Sequence, residues 1–248
     1  MANWSDPRSG IQELGGATPT QGATFDAGLR SYMLSVYNYM ASGVLLTGVV
    51  ALLFSRGGLD SPAAHILLQP GILKYVIMFA PLAFILVLSF GISRLSTAAT
   101  QGLFWAFAVV MGLSISTIFL RYSDASIAQT FFATAAAFAG LSLYGYTTKK
   151  DLSGFGTFLI MGVVGLLVAS IVNIFLRSGP LDLVISAIGV LLFAGLTAYD
   201  TQKIKSIYAH VAGTDMMGKS VVMGALNLYL DFINMFLFLL RFMGSSRN

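Results

Sequence analysis

The chain has 248 residues, of which 56% are hydrophobic and only 10% charged, against roughly 25% charged in a soluble domain. One domain of this size cannot bury that apolar surplus against itself, so lipid must cover the rest; a soluble enzyme, a disordered tail protein and a nucleic-acid binder are excluded. The net charge of +4 balances 14 basic against 10 acidic side chains scattered through short loops, with no Lys/Arg run long enough for a nucleic-acid patch. The absence of cysteine removes disulfides, thiolate metal sites and cysteine nucleophiles.

Residues 1–30 are polar, rich in Gly, Thr and Gln, and without a secretory signal pattern; they read as a flexible tail. Seven apolar segments follow, each near the 20 or so residues that cross a hydrocarbon core. They run over 31–54, 72–92, 102–120, 127–146, 155–175, 181–199 and 221–240, bounded by charge, Gly or Pro. Most connections are short, which makes neighbouring helices antiparallel; the longer ones cover 55–71 and the stretch around 208–219. No linker or internal repeat divides the chain. The predicted fold is therefore all-α: a polytopic membrane protein whose residues 31–248 form a single seven-helix transmembrane domain. In the fourth segment Ala133 stacks over Ala137 and Ala136 over Gly140, a small-residue face that predicts close helix packing.

The basic residues set an orientation. The tail and the connections on its side hold Arg8, Arg30, Arg94, Lys149, Lys150, Lys203, Lys205 and Lys219, whereas the other side holds Arg56, Lys74, Arg121, Arg177, Arg241 and Arg247. The excess, together with the clustering of lysines at helix ends, predicts a cytoplasmic N-terminus.

Most charges lie outside the segments, but Asp231 sits within the seventh. An ionisable group at that depth costs at least about 2.5–3.5 kcal/mol unless it faces the bundle interior. Ser220, Gly224, Asn227, Asp231 and Asn234 recur at steps of three and four, so they share one helix face that must look into protein or water. A plain structural reading has Asp231 neutral and hydrogen-bonded to a neighbouring helix. The second acid is Asp200, at the end of the sixth segment, where an ordinary interfacial carboxylate is also expected. Asp200 lies about 14 residues before the centre of the 213–216 connection and Asp231 about 17 after it. If both helices extend into that connection, the two carboxylates sit at similar depth. Arg94 ends the second segment on the same side and is a candidate partner for Asp200, although a positive-inside or snorkelling arginine fits it somewhat better.

Other polar groups rank lower. Ser170 and Asn173 predict hydrogen bonds between helices, and Tyr144, Tyr146 and Tyr199 belong to aromatic belts. His65 and His210 lie in connections at no metal-ligand spacing. No hydrolase, zinc-protease, Walker or dinucleotide motif is present, and the chain is not expected to be an enzyme. An intramembrane serine protease needs a histidine at depth, and a retinal protein needs a lysine inside the seventh helix; neither is found.

The segment Leu192-Phe-Ala-Gly-Leu-Thr-Ala-Tyr-Asp-Thr-Gln-Lys-Ile-Lys205 resembles a signature of the transmembrane Bax inhibitor motif family. So does Ala225-Leu-Asn-Leu-Tyr-Leu-Asp-Phe-Ile-Asn-Met-Phe236, followed by Leu-Leu-Arg241. The resemblance extends over about residues 28–243, and the polar leader and the length are similar to the bacterial branch, which implies the inner membrane. It implies a seven-helix bundle with one helix at the centre and a pH-sensitive calcium leak. By motif match, Asp200 and Asp231 form its pH sensor and ion pathway, and Arg94, by position, competes for the first aspartate.

Two carboxylates within about 4–6 Å in a poorly hydrated site do not both ionise easily and are expected to share a proton near neutral pH. Calcium takes 6–8 oxygen ligands, so Asp200 and Asp231 make a weak transit site, with Asn227 and Asn234 on the polar pathway face. The expected associates are lipid, calcium ions and protons, with no tightly bound cofactor. Three functions remain open: a calcium leak channel, a proton-coupled secondary transporter, and a non-transporting membrane regulator of stress or cell death.

Overall fold

A computed structural model describes residues 19–247. It contains seven long helices: α1 (Pro19–Phe54), α2 (Ile72–Gly91), α3 (Thr97–Ile115), α4 (Asp124–Thr147), α5 (Ser153–Leu176), α6 (Gly179–Val211) and α7 (Met216–Met243). Each is long and apolar enough to cross a membrane. Short helical turns at Gly58–Asp60, Ala64–Leu68 and Ile118–Arg121 occupy the connections. Serine hydroxyls start three of the helices: Ser96, Ser123 and Ser178 accept from the N–H groups of Ala99, Ser126 and Leu181 at 3.1–3.3 Å. Each cap satisfies one of the amide groups that a helix start leaves without a partner.

α7 is the centre of the bundle. It packs against α6, α1, α4 and α3, and 67% of its most apolar stretch is buried, against 11% for α2 and α5. Tyr229 is fully buried there and meets Phe104 and Phe107 edge-on at 6.3 and 5.1 Å. Phe232 does the same with Phe131 and Phe138 at 5.6 Å. α2 packs mainly on α3 and α5 mainly on α6, so both lie at the periphery.

Two helices run past their expected ends. Residues 1–18 of the expected tail lie outside the described residues, but 19–30 continue α1. α6 does not stop near Tyr199; it runs to Val211, and the stretch expected as a loop around 208–219 shrinks to a turn over 212–215, where Gly213 takes a φ of 75°. The two extensions support each other. Phe25 and Tyr32 of α1 lie against the Tyr208 ring at 5.1 and 5.4 Å, and a side chain at Gly28 would run into that ring. Tertiary contact, not apolar composition, makes these turns helical.

The small-residue face expected on α4 is overturned. Ala133, Ala136, Ala137 and Gly140 are exposed, and the buried stripe is Ile127, Thr130, Thr134, Phe138, Ser142 and Gly145. Hydroxyls have more to lose in lipid than methyls do, so Thr130, Thr134 and Ser142 take the inner face. The close approach occurs instead at Gly145, where an added Cβ would collide with the Ala198 carbonyl of α6. Gly145→Ala is expected to destabilise the protein by about 1–3 kcal/mol. Gly140→Ala, whose Cβ would meet nothing within 4 Å, should leave it unchanged; thermal unfolding in detergent compares the two.

Candidate functional site

Because α6 continues through Asp200 and α7 begins at Met216, the two helices form a long antiparallel pair. Gly224 of α7 packs beside Ile204, and Gly189 of α6 lies under Phe238. That register carries Asp200 to Asp231, and their carboxyl groups lie within hydrogen-bonding reach of each other. Asp231, near the middle of α7, is buried; Asp200 is half-buried. Asp231 Oδ2 is enclosed and meets no donor among the described residues. Two carboxyls facing each other can form a hydrogen bond only when one of them carries a proton.

The cation acting on Asp200 is Lys203, one turn along α6. Arg94 is exposed in the turn after α2 and forms no ion pair, with Asp200 or with any other acid, among the described residues. Asn227 and Asn234 are partly buried on the α7 face that bears Asp231, and Asn234 Nδ2 donates to the Leu230 carbonyl at 2.8 Å. Among the described residues no group of three His, Asp or Glu side chains is placed to hold a metal.

Two hydroxyl chains brace the pair, and the sequence reading missed both. Tyr37 of α1 donates to Ser142 of α4 at 3.3 Å, Ser142 bonds Thr201 of α6 at 2.9 Å, and Thr201 donates to the Thr197 carbonyl at 2.7 Å. Tyr229, half a turn before Asp231, bonds Thr47 of α1 at 2.7 Å, and Thr47 donates to the Ala108 carbonyl of α3 at 2.8 Å. Hydroxyls recurring every four residues within α4 were the available signal, since Ser and Thr stripes are enriched where membrane helices meet. Ser170 and Asn173 bond locally instead of between helices: Ser170 donates to the Leu166 carbonyl, and Asn173 accepts from the Ser178 N–H.

On the N-terminal face, Gln202 fastens α6 to the α4–α5 turn. Its amide accepts from the Leu152 N–H at 2.9 Å and donates to the Lys150 carbonyl at 2.8 Å. Lys205 reaches the Tyr146 carbonyl at 2.7 Å and lies over that residue's ring. Gln202, Lys150 and Lys203 border a 290 Å³ cavity whose wall also holds Tyr199, the residue before Asp200. In the α4–α5 turn Asp151 accepts from the Ser153 N–H at 2.9 Å, and its bonds to Ser153 hold its carboxyl below the usual carboxylate range.

Two outcomes follow from this geometry. Asp231→Asn should fold within about 1 kcal/mol of the parent, because its amide can donate to Asp200, whereas Asp231→Leu strips Asp200 of its partner and costs about 1–3 kcal/mol; thermal melting in detergent separates them. Asp151 has a lowered value in the folded chain, so its contribution is present above the ordinary carboxylate value of about 3.9 and lost as pH falls through the lowered one. The chemical shift of its carboxyl carbon should titrate below the ordinary aspartate value of about 3.9.

Comparison with known proteins agrees with the architecture. The family model described as inhibitor of apoptosis-promoting Bax1 matches residues 29–248. A Rickettsia prowazekii protein is 47% identical over 232 residues, covering 93% of this chain and 96% of its own length. A Caulobacter vibrioides protein is 47% identical over 90% of this chain and 91% of its own. The inner membrane protein YbhL of Escherichia coli K12 is 44% identical, covering 89% of this chain and 94% of its own.

Proposed function

This chain belongs to the family described as inhibitor of apoptosis-promoting Bax1, as an integral membrane protein, and we propose that it is a pH-sensitive calcium leak channel gated by Asp200 and Asp231. The observation that carries the reading is the meeting of these two carboxyls, one of them enclosed near the middle of the central helix. Lipid makes such a pair expensive, which marks it as a functional element. Carboxylate oxygens suit a hard divalent cation, and two of them are too few for tight binding; the ion passes and is not stored. The amide oxygens of Asn227 and Asn234 lie along the same face of α7.

The gate works by charge. With one proton shared, the pair carries a single negative charge and α6 stays against α7. Removing that proton leaves two like charges in a poorly hydrated site. The repulsion is relieved by separation of the helices or by an entering divalent cation. Lys203, not Arg94, is the cation placed to draw the Asp200 carboxylate aside, toward the N-terminal face. We assign that face to the cytoplasm, on the larger share of Lys and Arg near its helix ends, in a bacterial inner membrane such as the one that holds the E. coli relative.

The test is calcium entry into proteoliposomes between pH 6 and 8. Flux through the parent protein should change several-fold across that range, and Asp231→Asn and Asp200→Asn should each flatten the dependence. Correctly folded protein that carries no calcium at any pH would sink the leak. Uphill calcium movement driven by an imposed proton gradient would make the protein a proton-coupled transporter, for which a buried acid pair is equally suited. A cellular phenotype of the variants with unchanged flux would make it a non-transporting regulator.

A further inference from the structure

On the face opposite the N-terminus a cavity of about 560 Å³ opens between the ends of α5 and α7 and the start of α6. Three arginines from separate parts of the chain line it: Arg121 from the turn after α3, Arg177 from the end of α5 and Arg241 from the last turn of α7. The acid in this lining is Asp182, 3.5 Å from Arg241. Arg121 and Arg177 have no acidic partner among the described residues, so two positive charges remain uncompensated.

The surrounding backbone holds these groups in place. Arg177 ends α5 in the left-handed region, with φ 50° and ψ 37°, and its N–H donates to the Asn173 carbonyl at 2.8 Å. Asn173 Oδ1 accepts from the Ser178 N–H at 3.1 Å, which leaves its amide nitrogen as a further donor in the lining. The Arg121 carbonyl accepts from the Arg247 N–H at 2.9 Å, and Ser123 donates to the Ser245 carbonyl at 3.1 Å, so the segment after α7 ties the Arg121 turn down. Donors thus outnumber acceptors around the cavity. Guanidinium forks match a tetrahedral oxyanion, pairing two N–H groups with two oxygens. Below the arginines the α5 surface is apolar and exposed through Ile171, Ile174 and Phe175, the arrangement a lipid with an anionic head would meet.

We propose that this cavity binds a phosphate group, carried by an anionic phospholipid headgroup or present as the free ion. The site is separate from the aspartate pair: Ile185, in its wall, precedes Asp200 by 15 residues of one helix, about 22 Å at 1.5 Å per residue.

The experiment uses the full chain. Protein in a neutral detergent is titrated with inorganic phosphate by calorimetry and by melting temperature. In parallel it is placed in phosphatidylcholine nanodiscs with rising fractions of phosphatidylglycerol. A saturable response is expected to one or both, weakened about tenfold or more in Arg177→Gln and in Arg121→Gln, as loss of a charge-assisted bidentate pair requires. Lys74→Gln, on the same face but outside the cavity, should behave as the parent. Arg177→Lys keeps the charge without the fork, so its melting temperature without ligand should match the parent while its binding weakens. A response to phosphatidylglycerol alone assigns the phosphate to lipid, and a response to inorganic phosphate alone assigns it to the free ion; both support the site. No saturable response to either, or an equal loss in Lys74→Gln, overturns it.

Discussion

A carboxyl near the middle of a membrane-spanning helix can exist only where other helices keep lipid away from it. The arrangement of this bundle answers that requirement. α7 carries Asp231 and is enclosed by α1, α3, α4 and α6, while α2 and α5 are left to face the bilayer. The same requirement turns the hydroxyls of Thr47, Ser142, Thr201 and Tyr229 inward, where each finds a partner on another helix. Apolar packing alone discriminates poorly among helix rotations in lipid, because lipid tails are as apolar as leucine. Polar satisfaction does discriminate, and it sets which face of α4 and of α7 looks in.

The bracing divides the bundle into two groups around the aspartates. α6 is tied near Asp200 to α4 through Ser142 and Lys205 and to the α4–α5 turn through Gln202. α7 is tied near Asp231 to α1, and through Thr47 to α3. Between the groups, at the depth of the pair, the polar contacts among the described residues are the single hydrogen bond from Tyr37 of α1 to Ser142 of α4 and the two facing carboxyls. A change in their charge therefore acts at the seam between two cross-linked units, where it has leverage on whole helices.

The seven apolar runs made the spans legible, and the three- and four-residue steps around Asp231 showed its face before any coordinates. What escaped had physical reasons. Hydropathy reports contact with lipid, so the helical turns of α1 before Ser31 and of α6 after Tyr199, which are held by Phe25, Tyr32 and Tyr208, read as tail and loop. Pairing Arg94 with Asp200 rests on a shared side of the membrane, which brings two groups to one depth without bringing them into contact; Arg94 forms no ion pair among the described residues. Small residues on α4 signalled packing by analogy with tightly crossed helices, yet Thr130, Thr134 and Ser142 had the stronger claim to the interior. The arginine-lined cavity joins positions 121, 177 and 241, and no local pattern connects residues so far apart in the chain.

The central position of α7 has a consequence for biogenesis. Helices enter the membrane in order of synthesis, so the four that enclose α7, and the two outside them, are in place before the one that fills the bundle. Until then the Thr47 hydroxyl of α1 lacks its Tyr229 partner and the Asp200 carboxyl has no Asp231 to face, and the enclosing helices can close only loosely. The ribosome thus delivers the keystone after the arch. A nascent chain halted before Met216 is a recognisable incomplete object, with polar groups on show in the bilayer for a membrane protease or chaperone to read.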